Sequence, residues 1–381
     1  MSLSDAGALA GTPVRDGWWM PAEFEAHEGC WMLWPERADN WRDQARPAQA
    51  AFAAVAATIA RFEPVHVGVS AAHTAVAREL LPCGVEVVTL AHDDCWMRDV
   101  GPTYLVGKPG ELRGIHWRFN AWGGLEHGLY HPWDQDERVA PEVLARERRA
   151  RYRAPIVIEG GAIHVDGEGT ALLAEECVLN PNRNPGMTRA TMEATLREYL
   201  GVTHFIWLRL GVYNDETDGH IDNMACFVAP GTVCLTWTDD RADPQYERSR
   251  EAWERLTAAR DARGRRLEVV RLPMPGPLYM SESEAAGLAP SAACKPRRGG
   301  ERLAASYVNF YFANGGVVMP LLDERTDAQA REILRSLCPG REVLGVPARE
   351  ILLGGGGIHC ITQQVPDPRA ARLRPAPPNA A

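Results

Sequence analysis

Residues 306–346 read SYVNFYFANGGVVMPLLDERTDAQAREILRSLCPGREVLGV and hold three elements in order. Asn314-Gly315-Gly316 separates two apolar runs, a hairpin signal, because tight hairpin turns need residues that accept positive φ. Ala330, Ile333, Leu334 and Leu337 then recur at helical spacing. A short apolar run, REVLGV, follows. The order is hairpin, helix, strand.

That order recurs upstream. Residues 162–176 (AIHVDGEGTALLAEE) predict a hairpin. A helix follows, with Met192, Leu196, Tyr199 and Leu200 at helical spacing, Thr188 as N-cap and Gly201 as stop, and then VTHFIWLRL. Residues 224–237 (MACFVAPGTVCLTW) turn at Pro230-Gly231 and precede a helical pattern over 243–264 and the strand LEVVRL. A weaker hairpin lies at 101–119, and one unit is split into CWMLWP, a helix over about 44–61, and VHVGV. A recurrence of about 60 residues, five times over, argues for radial repetition. The expected class is α/β, a five-bladed α/β propeller of repeated ββαβ units with a central site. The alternative is a doubly wound sheet, but there single strands alternate with helices. One domain is expected over 18–366, between segments expected to be flexible at 1–17 and 367–381. The Pro-, Gly- and Ser-rich residues 272–300 read as a surface excursion.

The chain of 381 residues carries a net charge of −9, which weighs against a generic nucleic-acid binder and fits a cationic substrate. No apolar run is long enough to span a bilayer, and the first residues do not read as a signal peptide. Nine cysteines are scattered without a CxxC pair, so free thiols in a reducing compartment are expected, one of them a candidate for chemistry.

Four clusters carry chemical residue types. In DDCWMRDVGPT (93–103), Trp96 offers a face and Asp99 an acceptor, which suits a flat cation; the plain reading is a turn beside a core tryptophan. In VIEGGAIHVDGEG (157–169), Glu159 ends a strand beside two glycines; the plain reading is a solvent-facing acid. In NDETDGHIDNMACF (214–227), His220 and Asp222 would share a face if extended, and a carboxylate beside a histidine favours acid–base work. A capped loop or a metal site are the alternatives there. Metal is disfavoured, because only His359-Cys360 is available as a partner cluster. In LLGGGGIHCITQQ (352–364), Gly354 to Gly357 allow close approach to Cys360; the plain reading is a small buried hydrophobe. Together, a thiol, an imidazole and several carboxylates suit attack on a guanidinium carbon. Carboxylates grip its planar N–H edges, and the bound cation favours the thiolate.

WMRDVGPT, EGGAIHVDGEGT, LNPNRNPGMT, NDETDGHIDN, ASYVNFYFANGG and GGGGIHCITQQ, in this order, resemble the agmatine deiminase family of guanidino-group-modifying penteins. The resemblance implies a five-bladed propeller that hydrolyses agmatine to N-carbamoylputrescine and ammonia. It implies Cys360 as nucleophile, His220 as acid–base, Glu159 as support, and Asp99 and Asp222 as holders of the guanidinium. Trp96 is expected to line the channel and Glu216 to suit the far amine, with Asp218, Gly355 and Gly356 completing the substrate-binding set. It implies no metal or organic cofactor, a small cationic guanidine as ligand, no nucleic-acid or membrane partner, a homodimer and a cytoplasmic location. Two positions depart from the family pattern. Gly357 stands where asparagine is common, which is expected to loosen the site, and Asp218 adds an acid. The rival readings are a deiminase of free or peptidyl arginine, with Arg183 or Arg98 meeting a carboxylate, an amidinotransferase, and a non-catalytic guanidine binder.

Overall fold

The computed structural model describes residues 7–370. Tyr311–Ala313 pairs antiparallel with Gly316–Leu321. Ala313 faces Gly316, so Asn314 and Gly315 form the two-residue turn, with Gly315 at φ +73°. The helix Asp327–Leu337 then buries Ala330 and Leu334 and returns the chain to Glu342–Pro347, which joins Gly316–Leu321 in parallel.

Three more sheets repeat this plan. One contains Ala225–Ala229, Thr232–Trp237 and Glu268–Pro273, with the helix Gln245–Ala258 as crossover. Another contains His164–Val165, Thr170–Ala174 and His204–Leu208, crossed over by Arg189–Leu200. There the Thr188 hydroxyl accepts the Thr191 N–H and Gly201 takes the left-handed conformation, so both cap expectations hold. The next is built from Thr103–Val106, Leu112–Arg118 and Ala150–Val157, crossed over by Asp136–Arg146. The fifth sheet joins the two ends of the domain. Thr362–Pro366 runs antiparallel to His27–Leu33, which is followed in parallel by Val65–Val69 and Val85–Thr89. The helix Arg46–Ile59 links His27–Leu33 to Val65–Val69 and buries Phe52, Val55 and Ile59, each burial stabilising by about 1.5–3 kcal/mol. The fold is the five-bladed α/β propeller that the repeats predict.

The inner strands pack on one another in places: Thr362–Pro366 on Thr103–Val106, and Ala225–Ala229 on His164–Val165. Part of the segment expected to be flexible at 1–17 is attached, because Ala8–Leu9 pairs in parallel with Ala150–Val157 and Thr12 Oγ1 donates to Glu198 at 2.7 Å. Residues 1–6 and 371–381 of the two expected terminal segments lie outside the described residues. Among the described residues, no helix is long and apolar enough to cross a membrane.

Candidate active site

In every blade an irregular segment leads into the inner strand, and these segments carry the polar side chains. Trp96 and Asp99 lie at the turn of helix Met97–Val100, before Thr103–Val106. Glu159 precedes the turn Gly160–Ala162, before His164–Val165. His220 precedes Ile221–Met224, which carries Asp222 and leads into Ala225–Ala229. Asn309 lies just before Tyr311–Ala313, and Cys360 just before Thr362–Pro366.

These residues converge. Asp222 Oδ2 lies 3.4 Å from the Cys360 sulfur, and Asn309 Nδ2 donates to that sulfur at 3.1 Å. His220 stands between two carboxylates: Nε2 is 3.4 Å from Glu159 Oε2 and Nδ1 is 3.8 Å from Asp99 Oδ2. Asp99 accepts the Gly161 N–H at 2.9 Å and the Trp122 indole at 3.0 Å. Asp222 Oδ2 also meets His359 Nδ1 at 2.9 Å, while its Oδ1 is buried without a protein donor; Asp222 is not among the residues lining the pocket and reaches it through the Cys360 sulfur. A pocket of about 500 Å³ opens onto Cys360, Asp99 and His220, walled by Trp96, Trp122 and Tyr130. Trp96 is fixed because its indole donates to Asp94 at 2.9 Å, where Trp41 and Asn40 also donate.

Burial and neighbours set the charges. Burial opposes the positive form of His220, but Asp99, Cys177 and Glu159 outweigh it and raise its pKa well above the ordinary value. Burial also works against Glu159, yet Arg183 and His220 bring it down to about 2. Asp99 is pushed up to about 6, by burial first and then by Asp222 and Glu159, against the pull of His220. Asp222 falls below its ordinary value, because His359 and His220 outweigh burial. The Cys360 thiol is raised well above the usual range by burial, Asp222 and Asp99.

Several expectations change. His220 and Asp222 do not lie on an extended segment; a helical turn aims one at Glu159 and the other at Cys360. Asp218 does not line the pocket: at φ +63° it turns back onto Arg183, which donates through Nε to Glu159 at 3.0 Å, so Asp218 touches the site only through that arginine. Neither Arg183 nor Arg98 is open to a substrate carboxylate. Arg183 also donates to the Thr217 carbonyl, and Arg98 is held by Glu23 and Gln364. Residues 272–300 are more than a surface excursion, because Cys294, Lys295 and Arg297 from this stretch line the pocket. Arg297 takes Glu216 as partner, Nη1 at 3.0 Å and Nη2 at 2.6 Å, so the carboxylate expected to meet a far amine already has a counter-ion. Gly355, at φ +111°, leaves room for that pair, and Gly356 leaves room between Trp96 and Cys360. At Gly357, Asn309 fills the space a Cβ would take.

Sequence reasoning missed Asn309, Arg297 and the buried relay in which His359 Nε2 meets Glu23 at 2.8 Å. The repeat held a signal for Asn309, which sits two residues before its inner strand just as Cys360 does. Glu159, Cys177 and His220 place donor atoms within 4.8 Å of one another, a metal-compatible set. Arg183 on Glu159 and the positive charge on His220 oppose a cation there.

The family model for Porphyromonas-type peptidyl-arginine deiminase matches residues 19–366. An agmatine deiminase of Pseudomonas aeruginosa (strain LESB58) is 56% identical over 362 residues, covering 94% of this chain and 98% of that protein. The solved agmatine deiminase of Enterococcus faecalis superposes with a TM-score of 0.92 at 42% identity, covering 95% of this chain and 100% of that one. The solved C. jejuni agmatine deiminase shares the fold, with a TM-score of 0.74 at 22% identity over 91% of this chain and 96% of that one. With the propeller and the convergent thiol, imidazole and carboxylates in place, the chain belongs to the Porphyromonas-type peptidyl-arginine deiminase family, among its agmatine deiminases.

Proposed function

We propose that this protein hydrolyses agmatine to N-carbamoylputrescine and ammonia through a covalent intermediate on Cys360. One observation carries the reading: Cys360, Asp99 and His220 face one pocket, and Asp222 lies against the Cys360 sulfur. A guanidinium gripped by Asp99 and Asp222 holds its carbon at the thiol, and its positive charge offsets the anions that keep the thiol protonated.

The thiolate attacks the guanidinium carbon and forms the C–S bond. His220, poised in its protonated form, gives its proton to the departing nitrogen; the C–N bond breaks and ammonia leaves an S-alkylthiouronium. His220, now neutral, takes a proton from water as the oxygen adds to the same carbon. Collapse forms the C=O bond, breaks the C–S bond, returns the electron pair to sulfur and passes the hydroxyl proton to solvent, releasing the ureido product. Acid–base help of this kind is worth about 10²–10⁴ in rate. Glu159 and Arg183 hold the imidazole, and Trp96 lies along the alkyl chain. Glu216 sits at the mouth, where the far amine would share it with Arg297.

Arg98 and Arg183 are committed to internal partners and Arg297 is already paired, so Lys295 is the pocket cation that an arginine α-carboxylate would meet, and the preference for agmatine rests on Glu216 and the family resemblance. One catalytic domain over 18–366, a homodimer and a cytoplasmic location belong to the same proposal, supported by the family resemblance. The test is ammonia and ureido-product formation from agmatine and from arginine at equal concentration, with Cys360→Ala alongside. Agmatine preferred and a dead variant are expected; a clear preference for arginine overturns the substrate, and full turnover by Cys360→Ala overturns the mechanism.

A further inference from the structure

We propose that the Asn309 side chain forms a donor cradle for the Cys360 thiolate, which makes Asn309 a catalytic residue contributed by the blade that contains Tyr311–Ala313. The proposal rests on Cys360 being the nucleophile. Asn309 is 1% exposed, and its Nδ2 donates to the sulfur at 3.1 Å and to Asn223 Oδ1 at 3.0 Å. Its amide orientation is fixed from the other side, because Oδ1 accepts the backbone N–H of His359 at 2.9 Å and of Cys360 at 3.4 Å. Those contacts demand an oxygen, so the nitrogen must face the sulfur.

The remaining groups around this sulfur are anionic or cationic side chains at fixed positions. Asp222 and Asp99 oppose the thiolate, and His220 opens onto the same pocket. His359 reaches the sulfur only through Asp222, and Glu23 lies behind His359. Against two carboxylates, Asn309 Nδ2 points a hydrogen at the sulfur and favours its ionised form. Residue 357 has to be small for this arrangement, since a Cβ would stand 2.3 Å from Asn309 Oδ1. On ionisation the thiol proton leaves to solvent through the pocket, and the sulfur keeps the electron pair that later forms the C–S bond.

Asn309→Asp keeps loop support but exchanges the donor for a further carboxylate, so the donor's own share is read from Asn309→Ala beside it. The new carboxylate keeps an oxygen for the His359 N–H and loses the donor to sulfur. The readout is iodoacetamide alkylation of Cys360 against pH, resolved by peptide mass spectrometry because Cys83 is exposed and Cys294 half-buried. In that reaction an S–C bond forms, iodide leaves and the thiol proton goes to solvent. A hydrogen bond to a charged group is lost, so we expect the alkylation midpoint to move up by about one unit or more and kcat/KM to fall about tenfold to a hundredfold. Asn309→Ala should move both in the same direction, and if it does not fold, Asn309→Asp stands alone as the test. An unshifted Asn309→Ala or Asn309→Asp profile beside a dead Cys360→Ala overturns the cradle alone. Turnover surviving in Cys360→Ala overturns the nucleophile, and the cradle with it.

Discussion

Adding one methyl group at Gly356 tests why glycines precede the cysteine. A Cβ there would stand 2.5 Å from Cζ3 of Trp96 and 3.1 Å from the Cys360 sulfur. Carbon atoms rest at about 3.5–4.0 Å, so the overlap with the indole is about 1 Å or more. The indole has little freedom to yield, being hydrogen-bonded to Asp94 and stacked beside Trp41 with ring centroids 5.3 Å apart. Relief must therefore come from the loop, which carries Cys360 with it. Gly356 is not among the glycines with positive φ, so alanine adds no backbone strain and the effect is steric. Overpacking of this kind costs about 1–3 kcal/mol, and a displacement of about 1 Å at the reacting atoms costs about a hundredfold in rate. Gly356→Ala should lower kcat/KM for agmatine about a hundredfold and Tm by a few degrees. Ammonia release under steady-state conditions and a thermal melt measure both. An alanine variant with kcat/KM within twofold of the parent and an unchanged Tm refutes the close approach on which the site description depends.

Two further outcomes follow from the charges. Asp99 ionises at about 6, so kcat/KM for agmatine should fall about tenfold per unit as pH drops below that value, when the protonated carboxyl stops accepting the guanidinium; a profile flat to pH 5 would sink this assignment. Arg297→Gln frees Glu216 from its counter-ion, so selectivity for agmatine over an alkylguanidine of equal length without the amine should rise about tenfold, while any loss common to both substrates reports the loosened Gly354 contact; an unchanged or reduced ratio contradicts the shared-carboxylate reading.

Legibility followed local pattern. Glu159, His220 and Cys360 stood out because each interrupts a polar or glycine-rich stretch just before an apolar strand. Asn309 was hidden inside SYVNFYF, where apolar neighbours make the asparagine read as part of a strand. Arg297 lies in a stretch without periodicity, and nothing local places it at the pocket. Asp218 misled because neighbours along a chain need not share a direction: Glu216 lines the pocket while Asp218, two residues on, turns to Arg183. The pairing of His359 with Glu23 spans 336 residues and left no local trace. What periodicity and turn chemistry specify is visible in one sequence; what the closed ring brings together is not.

The buried charges explain why the reaction calls for a cation. Around the thiol, Glu23, Asp99, Glu159 and Asp222 are four carboxylates ionised at neutral pH. Facing them are Arg98 and Arg183 with two histidines, His220 and His359, both shifted toward their positive forms. Asp215 at His220 and Asp218 on Arg183 add further acids to this set, so an added thiolate has no counter-charge, in keeping with the raised thiol. An arriving guanidinium supplies one. Binding and ionisation of Cys360 are then a single coupled step, since desolvated charges in such a site must be balanced. The ureido group of the product is neutral and cannot keep that balance. On the proposed mechanism the thiolate regains its proton when the guanidinium is consumed, and the group that held the substrate loses its grip on what the reaction leaves behind.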